Sequence, residues 1–434
     1  MPLSIRSFPR AILHIDGDSF FASCEAAVNP SLRGKPIVTG KERGIASSMS
    51  YDLKAMGVTR GMSLREIKKI CPAVIILPSD YETYSLFSKR MYAIVRRYTE
   101  SVEEYSIDEC FADLTGMRRS LRMSYEAIAE AIKHDLDTEL GMTFSVGLAP
   151  NKVLAKVGSK WKKPSGLTII PANRIELYLR NLDIEKIWGI GRQTSAFLRQ
   201  HQVFTALQYA QRPKEWIDAH MSKPYREIWQ ELRGDFVYPL NMEEKHEYQS
   251  ISKTKTFTPP SNDKEFVFSQ LSKNVENACI KARRHTLAPT KIFFFLKTQG
   301  FNYAGLELAL TTPLSAPNEI LRLVRENFDK VFRPRTLYRA TGVVLINLQP
   351  EGESQLDLFG SISQLQAWRP VYAAMDMLDT KFGKHTVFLG STFRAMKTAA
   401  HQNERGDAPG RTSRLFKGEN KRQRVAIPML GDVN

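Results

Sequence analysis

The chain has 434 residues, with 62 Lys and Arg against 46 Asp and Glu and a formal charge of +16, a balance that favours a polyanionic partner, nucleic acid before others. Its 42% hydrophobic content excludes a disordered chain and supports cores for roughly three or four domains. No apolar run approaches the roughly 20 residues that span a bilayer, the N-terminus has no signal-peptide core, and Cys24, Cys71, Cys110 and Cys279 are scattered without zinc-site spacing, so a cytoplasmic protein with reduced, buried thiols is expected.

Ala11-Ile12-Leu13-His14-Ile15 is a short, mostly apolar run of the kind a buried strand uses, and it ends on Asp16, which is expected at a sheet edge. Phe20 to Ala27 reads as a helix start, and a small, basic, glycine-punctuated region follows to about Pro78. A second acidic cluster, Tyr105-Ser106-Ile107-Asp108-Glu109, closes another strand-like run. Consecutive residues on a regular strand point to opposite faces, so Asp108 and Glu109 reach one point only at a hairpin tip. Either cluster alone has the look of solvated turn residues. Together they offer hard oxygen ligands for two magnesium ions, one activating an attacking oxygen and one stabilising the leaving one, which is phosphoryl-transfer chemistry.

Between Tyr125 and Leu140, the residues Ile128, Ile132, Leu136 and Leu140 recur at helical spacing, and a strand-like segment from Thr143 to Leu148 follows. Strand, helix and strand around the carboxylates predict an α+β layer. Ile187-Trp188-Gly189-Ile190-Gly191 begins a mainly helical region reaching about Asn241; its glycines suit a tight hairpin that presents backbone N–H groups to a phosphate. From Gln249 the pattern alternates. A strand from Ser250 to Phe257, a helix from Lys264 to Arg284, strands from Ile292 to Thr298 and Ala304 to Thr311, a helix from Glu319 to Val331 and a strand from Gly342 to Leu348 predict a second α+β domain. Lys253, Lys255 and Lys297 are expected to line a phosphate-facing sheet. Beyond it, Gln355-Leu356-Asp357-Leu358-Phe359 carries apolar side chains with no obvious core, as a peptide does that anchors in a partner's groove. Pro370 to Phe393 is expected to be ordered, and Arg394 to Arg424 to be a flexible basic tail.

The chain resembles a Y-family translesion DNA polymerase as far as about Phe359. The resemblance rests on Asp16-Gly17-Asp18-Ser19-Phe20-Phe21-Ala22-Ser23-Cys24-Glu25, on Tyr105 to Glu109, on Asn151-Lys152-Val153-Leu154-Ala155-Lys156 with Lys163-Pro164-Ser165-Gly166, and on the Trp188 to Gly191 hairpin. It implies an α+β right-hand polymerase: a ferredoxin-like palm (1–19 and 80–175), small fingers (20–79), a helical thumb with a helix-hairpin-helix (176–244) and an α+β little finger (245–350), followed by a clamp-binding peptide and basic extension (351–434). It further implies template-directed transfer from dNTPs to a primer 3′-hydroxyl on two Mg2+ ions, without proofreading, in SOS-type damage tolerance.

By motif position, Asp16, Asp108 and Glu109 would be the catalytic metal ligands, joined by the backbone carbonyl of Gly17, which any residue type can supply. Phe20, Phe21, Ser48, Tyr51, Lys54 and Lys163 would contact the incoming dNTP, with Phe21 as the steric gate that clashes with a ribose 2′-hydroxyl. Lys54 stands where many relatives carry Arg, which removes a bidentate phosphate contact. Gly189, Gly191, Lys253, Lys255 and Lys297 would meet primer-template DNA. Gln355, Leu356, Leu358 and Phe359 would dock on a sliding clamp. The fingers lie closer to the DNA polymerase IV branch, while the extension resembles that of polymerase V catalytic subunits, which leaves the branch and a regulatory accessory protein open. Two rival readings are a nucleotide cyclase and a catalytically silent DNA-binding scaffold. The hairpin and the clamp-like peptide speak against the first; clustered carboxylates, which repel one another without metal, speak against the second.

Overall fold

The computed structural model describes residues 8–242, 248–310, 312–351, 361–382 and 385–397, which divide into two compact units, one up to residue 242 and the other from residue 248. Among these residues no helix is long and apolar enough to cross a membrane, and all four cysteines are buried free thiols.

In the first unit β1 (Ile12–Gly17) is buried at all but one of its positions. The helix Phe20–Val28 leads into β2 (Ile37–Thr39), β3 (Ser48–Met49) and β4 (Ile75–Leu77), a small sheet of order β3-β2-β4. After the helix Tyr81–Arg96 come β5 (Val102–Ser106), β6 (Glu109–Asp113), the helix Tyr125–Leu140, β7 (Phe144–Ala149), the helix Lys152–Trp161 and β8 (Leu167–Ile169). The main sheet has the order β5-β6-β1-β7-β8, with β1 antiparallel to both β6 and β7. Without β8, which pairs parallel to β7, this is the strand-helix-strand-strand-helix-strand pattern of a ferredoxin-like layer. Asp16 therefore does not lie on an edge strand. Its strand is the middle one, because a run with both faces apolar is covered on both sides.

Leu13 and Ile15 pack with Tyr84, Phe87, Ile128, Ile132 and Leu136 in one core. The alternate residue Ile12 joins Phe111, Val153 and Leu154 in another. The helix Tyr125–Leu140 starts at Ser124, whose side chain accepts from Ala127 N, and stops at Gly141 in the left-handed region. Each of Ile128, Ile132, Leu136 and Leu140 is fully buried, so truncating one to alanine costs about 2–5 kcal/mol. The helical region that follows ends at Leu232, short of Asn241. Residues beyond it are tied down by Glu231, whose carboxylate accepts from the N–H groups of Val153, Val237 and Tyr238 at 3.0, 2.9 and 2.8 Å.

The second unit is an antiparallel sheet of β9 (Ser250–Ser261), β10 (Leu287–Thr298), β11 (Tyr303–Ala309) and β12 (Tyr338–Pro350), in the order β11-β10-β12-β9. The helices Lys264–Arg284 and Pro317–Val331 share its core with Ile251, Phe257, Ile292, Phe294, Leu296, Val343 and Leu345. Thr311, expected at a strand end, lies outside the described residues, as does the whole Gln355 to Phe359 peptide. The helix Ser361–Phe382 then packs back: Asp376 accepts two hydrogen bonds from Arg283, both 2.7 Å, and Tyr372 donates to Asn318 at 2.8 Å. The rest of the expected tail, from residue 398, lies outside the described residues, but Arg394 is not part of a free tail. It belongs to the helical turn Phe393–Lys397 and pairs with Asp263 at 3.0 Å, while Ala395 N donates to Ser269 at 2.9 Å. The buried Ala395 and Thr392 supply the packing that its basic composition concealed.

Candidate active site

The ladder between β1 and β6 places Asp16 directly opposite Glu109. Asp108 occupies the turn between β5 and β6, where its backbone carbonyl accepts from Gly17 N at 2.8 Å. The hairpin tip thus delivers both acidic residues to the end of the central strand, as the sequence predicts. Asp108 accepts from the Ser106 hydroxyl at 2.5 Å. Burial raises the Asp16 carboxyl above the ordinary carboxylate value; the Lys163 ammonium against Asp16 Oδ1 opposes that rise, and the charges of Glu109 and Asp108 add to it.

Glu109 is held differently. Its Oε2 accepts from His14 Nε2 at 3.1 Å and from Lys156 Nζ at 2.8 Å. Burial alone would raise this carboxyl, but those two partners outweigh it and hold it down to about 2. Lys156 lies over the rings of Tyr105 and Trp188, 4.5 and 5.1 Å from their centroids, which encloses the cation in aromatic faces. His14 is fully buried, and that burial lowers its ring from 6.5 to about 4. A ring neutral at pH 7 must carry its proton on Nε2 to donate to an ionised carboxylate, so Nδ1 accepts from the Ser159 hydroxyl at 2.7 Å, the nearer of two acceptors for that proton, the Lys156 carbonyl lying at 3.1 Å. The repulsion invoked against a silent scaffold is therefore offset by cations already present, and it no longer separates the readings.

A stability prediction follows for the metal-free protein. Unfolded His14 gains a proton near pH 6.5 that the folded ring refuses until about pH 4, so unfolding becomes easier by about 3 kcal/mol as pH falls across that window. Glu109 acts in the same direction lower down, its contribution being lost as pH falls from 4.5 towards 2. Urea unfolding in EDTA at pH 7 and pH 4.5 should show the loss in wild type and much less of it in His14→Phe; equal losses in both would contradict the assignment.

The carboxylates are hard oxygen donors, and an ammonium already sits against Asp16, so this set fits magnesium, provided that Lys163 moves off Asp16. Among the described residues no three ligating side chains converge closely enough to hold an ion as they stand. Each carboxylate is instead drawn to a cation or hydroxyl.

Asp16, Gly17 and Asp108 border a cleft of about 380 Å³ whose walls include Phe20, Phe21, Ser48, Lys54 and Lys163. Phe21 stacks on Tyr84 with centroids 4.4 Å apart and 11° between planes, and Tyr81 meets it edge-on at 5.3 Å. Tyr84 is fixed in turn by donating to Glu25 at 2.6 Å. A side chain at position 17 would put its Cβ 2.6 Å from the Phe20 ring, so Gly17 is not interchangeable with every residue type unless that ring shifts. Ser48 donates to the Ser19 carbonyl at 3.2 Å. Tyr51 turns its hydroxyl to Asp18 at 3.1 Å, and Lys54 lies 4.1 Å from the Tyr51 ring centroid, its ammonium weakened first by burial and then by Lys163. Asp18, the second aspartate of the motif, is buried and also accepts from Ser145 Oγ at 2.8 Å and Ser165 N at 2.6 Å. It braces the Lys163 loop.

Sequence reasoning missed His14, Lys156 and Arg60, a further cation on the cleft wall. The first had a readable signal: a lone polar residue in a buried run, two before Asp16, shares the aspartate's face. Lys156 had one too, in sharing a helix face with Lys152 four residues earlier.

The expected nucleic-acid contacts separate. Gly189 has φ of +89°, and a Cβ there would lie 2.6 Å from Ile228, so the hairpin needs glycine. Gly191 is extended and precedes the helix Arg192–Gln200, whose first turn has no side-chain cap. In the second unit Lys253 and Lys255 alternate with the outward serines and threonines and share the face of Ile251 and Phe257. Lys253 pairs across the ladder with the core residue Val343, and burial, then Lys281 and Arg284, lowers its ammonium. Lys297 lies on the opposite face with Phe293 and Phe295, over the rings of Tyr303 and Phe301 at 4.6 and 4.8 Å. The three lysines do not line one face.

Two family models match, described as the impB/mucB/samB family over residues 15–160 and its C-terminal domain over 248–358. The chain is similar to DNA polymerase IV of Bacillus velezensis, 32% identical over 394 residues, covering 89% of this chain and 94% of that protein. DNA polymerase IV 1 of Bacillus subtilis is 30% identical over 391 residues, with 89% and 94% covered. Among solved structures, a Y-family DNA polymerase chimera of Dbh and Dpo4 matches with a TM-score of 0.66 at 23% identity, over 78% of this chain and 99% of that one. That last likeness is one of fold.

Proposed function

We propose, since this chain belongs to the impB/mucB/samB family of Y-family DNA polymerases, that it extends primers across damaged template positions, with Asp16, Asp108 and Glu109 holding two magnesium ions. The observation that carries this reading is the meeting of the β1 end with the β5–β6 turn, which sets Asp16 against Glu109 and ties Gly17 to Asp108. In this reading the ferredoxin-like layer is the palm, the β3-β2-β4 region the fingers, the helices up to Leu232 the thumb and the second unit the little finger.

Bound magnesium would acidify the primer 3′-hydroxyl and neutralise the departing pyrophosphate. The protein's own groups do the rest. Asp16, Asp108, Glu109 and the Gly17 carbonyl fix where the reacting oxygens sit. Lys163 leaves Asp16 for the triphosphate, and Ser48 and Lys54 give it further donors. Phe21, backed by Tyr84, packs under the sugar. The uncapped turn at Gly191 and the Lys297 face meet the DNA backbone. Synthesis without proofreading and a cytoplasmic location belong to the same proposal.

Gln355, Leu356, Leu358 and Phe359 supply a sliding-clamp anchor, which raises local concentration at a primer end without altering the chemistry. In Leu358→Ala/Phe359→Ala, clamp-stimulated synthesis should fall by about tenfold or more while clamp-free synthesis is kept. Loss of both would make the peptide a folding element. Primer extension in magnesium is the direct test of the whole reading; a well-folded protein that binds primer-template DNA and never extends it would restore the scaffold.

A further inference from the structure

His14 has no place among the groups that touch substrate, yet it is the fully buried polar residue on the face of β1 that carries Asp16. The helix Lys152–Trp161 covers that face. From it, Ser159 meets Nδ1 at 2.7 Å and Lys156 meets Glu109 at 2.8 Å, while Nε2 reaches the same Glu109 oxygen at 3.1 Å. Both grips fall on Oε2, which leaves Oε1 for ligation. Such an arrangement chooses which oxygen a carboxylate offers and the angle at which it is offered. Lys156 brings charge as well as direction. His14, as a neutral donor, brings direction alone, and Ser159 at Nδ1 fixes the ring against tilting.

We propose that Ser159, His14 and Glu109 form a positioning relay: the Glu109 carboxylate, which can only accept, keeps the His14 proton on Nε2, Ser159 at Nδ1 holds the ring in place, and the Nε2–H orients Glu109 so that Oε1 is left for the metal. The inference rests on the reading of Glu109 as a ligand. Outer partners of this kind are worth about 10- to 100-fold in metal affinity or activity. A ring held by two hydrogen bonds and packed at 54° to Phe111, with centroids 4.5 Å apart, cannot rotate freely to relieve a misplaced carboxylate.

The test uses the full chain with a dideoxy-terminated primer-template and the matching dNTP, so that no chemistry occurs, and follows Mn2+ occupancy by electron paramagnetic resonance. His14→Phe should need at least about tenfold more Mn2+ for half occupancy. His14→Gln, which places an N–H donor near the Nε2 position, should recover most of that loss. Ser159→Ala should move in the same direction by a smaller factor, because it removes the bond that holds the ring at Nδ1. In steady state with an extendable primer, kcat should fall with KM for dNTP and primer-template affinity unchanged within about twofold, a split that general loosening of the fold would not give. Wild-type Mn2+ occupancy in folded His14→Phe, with Glu109→Gln impaired, would overturn the relay. If His14→Phe does not fold, wild-type occupancy in Ser159→Ala overturns it. If Glu109→Gln itself binds Mn2+ as wild type does, the reading of Glu109 as a ligand fails instead.

Discussion

Primer extension falls by at least about 1,000-fold in Asp108→Asn, with primer-template affinity kept, because each metal contact to the reacting oxygens is worth several kcal/mol and every 1.36 kcal/mol is a factor of ten. Asp108 is the right residue to change first. Its side chain is held by Ser106, so the amide leaves no cation stranded. Glu109 is a worse choice for a single test: its removal leaves Lys156, only 6% exposed, without its carboxylate, and breaking a buried pair from one side costs about 3–5 kcal/mol. A loss of activity in Glu109→Ala therefore mixes chemistry with folding, whereas Asp108→Asn does not. Single-turnover extension, with melting temperature and DNA affinity measured on the same preparation, separates them. Activity within tenfold of wild type would remove Asp108 from the metal site.

Ribonucleotide discrimination drops by about 10- to 100-fold in Phe21→Ala. The estimate comes from the cost of forcing extra atoms into packed space, typically 1–3 kcal/mol, for a ring that cannot retreat. Phe21 is 9% exposed and stacks on Tyr84, which is pinned by Glu25. A 2′-hydroxyl that meets this ring pushes against a stack rather than a free side chain. The same packing makes the variant expensive, since removing a buried Phe costs about 3–5 kcal/mol. Phe21→Leu keeps more of the contact and should show a smaller change in the same direction. The quantity to measure is the ratio of kcat/KM for a dNTP and its ribonucleotide counterpart. An unchanged ratio in both variants, with folding intact, would take the gate away from Phe21.

Much of this was legible because local patterns and long-range pairing agreed. The spacing of Ile128, Ile132, Leu136 and Leu140 set a helix whose ends carry Ser124 as its start signal and Gly141 as its stop, and the helix from Lys264 to Arg284 has the bounds expected of it. The meeting of Asp16 with Asp108 and Glu109 was legible from two strand ends and one turn. The partners of those carboxylates were not. His14 and Lys156 come from a strand and a helix far apart in sequence, and no local rule reports that one helix covers one face of one strand. The sheet lysines were misplaced for a different reason: Lys253 and Lys255 stand at the same parity as Ile251 and Phe257, so the alternation already turned them towards the helices, while Lys297 stands out of phase with Ile292, Phe294 and Leu296. The helix Ser361–Phe382 packs through scattered polar bonds such as Arg283 to Asp376, which leave little trace in an apolar pattern.

The most direct measurement is a magnesium titration of primer extension by the wild-type chain, on an undamaged template and on one with an abasic site. Extension that needs magnesium, is absent in EDTA and continues past the abasic position is the result that two-metal synthesis at Asp16, Asp108 and Glu109 predicts. A folded protein that binds the primer-template and yet adds no nucleotide at any magnesium concentration would contradict it.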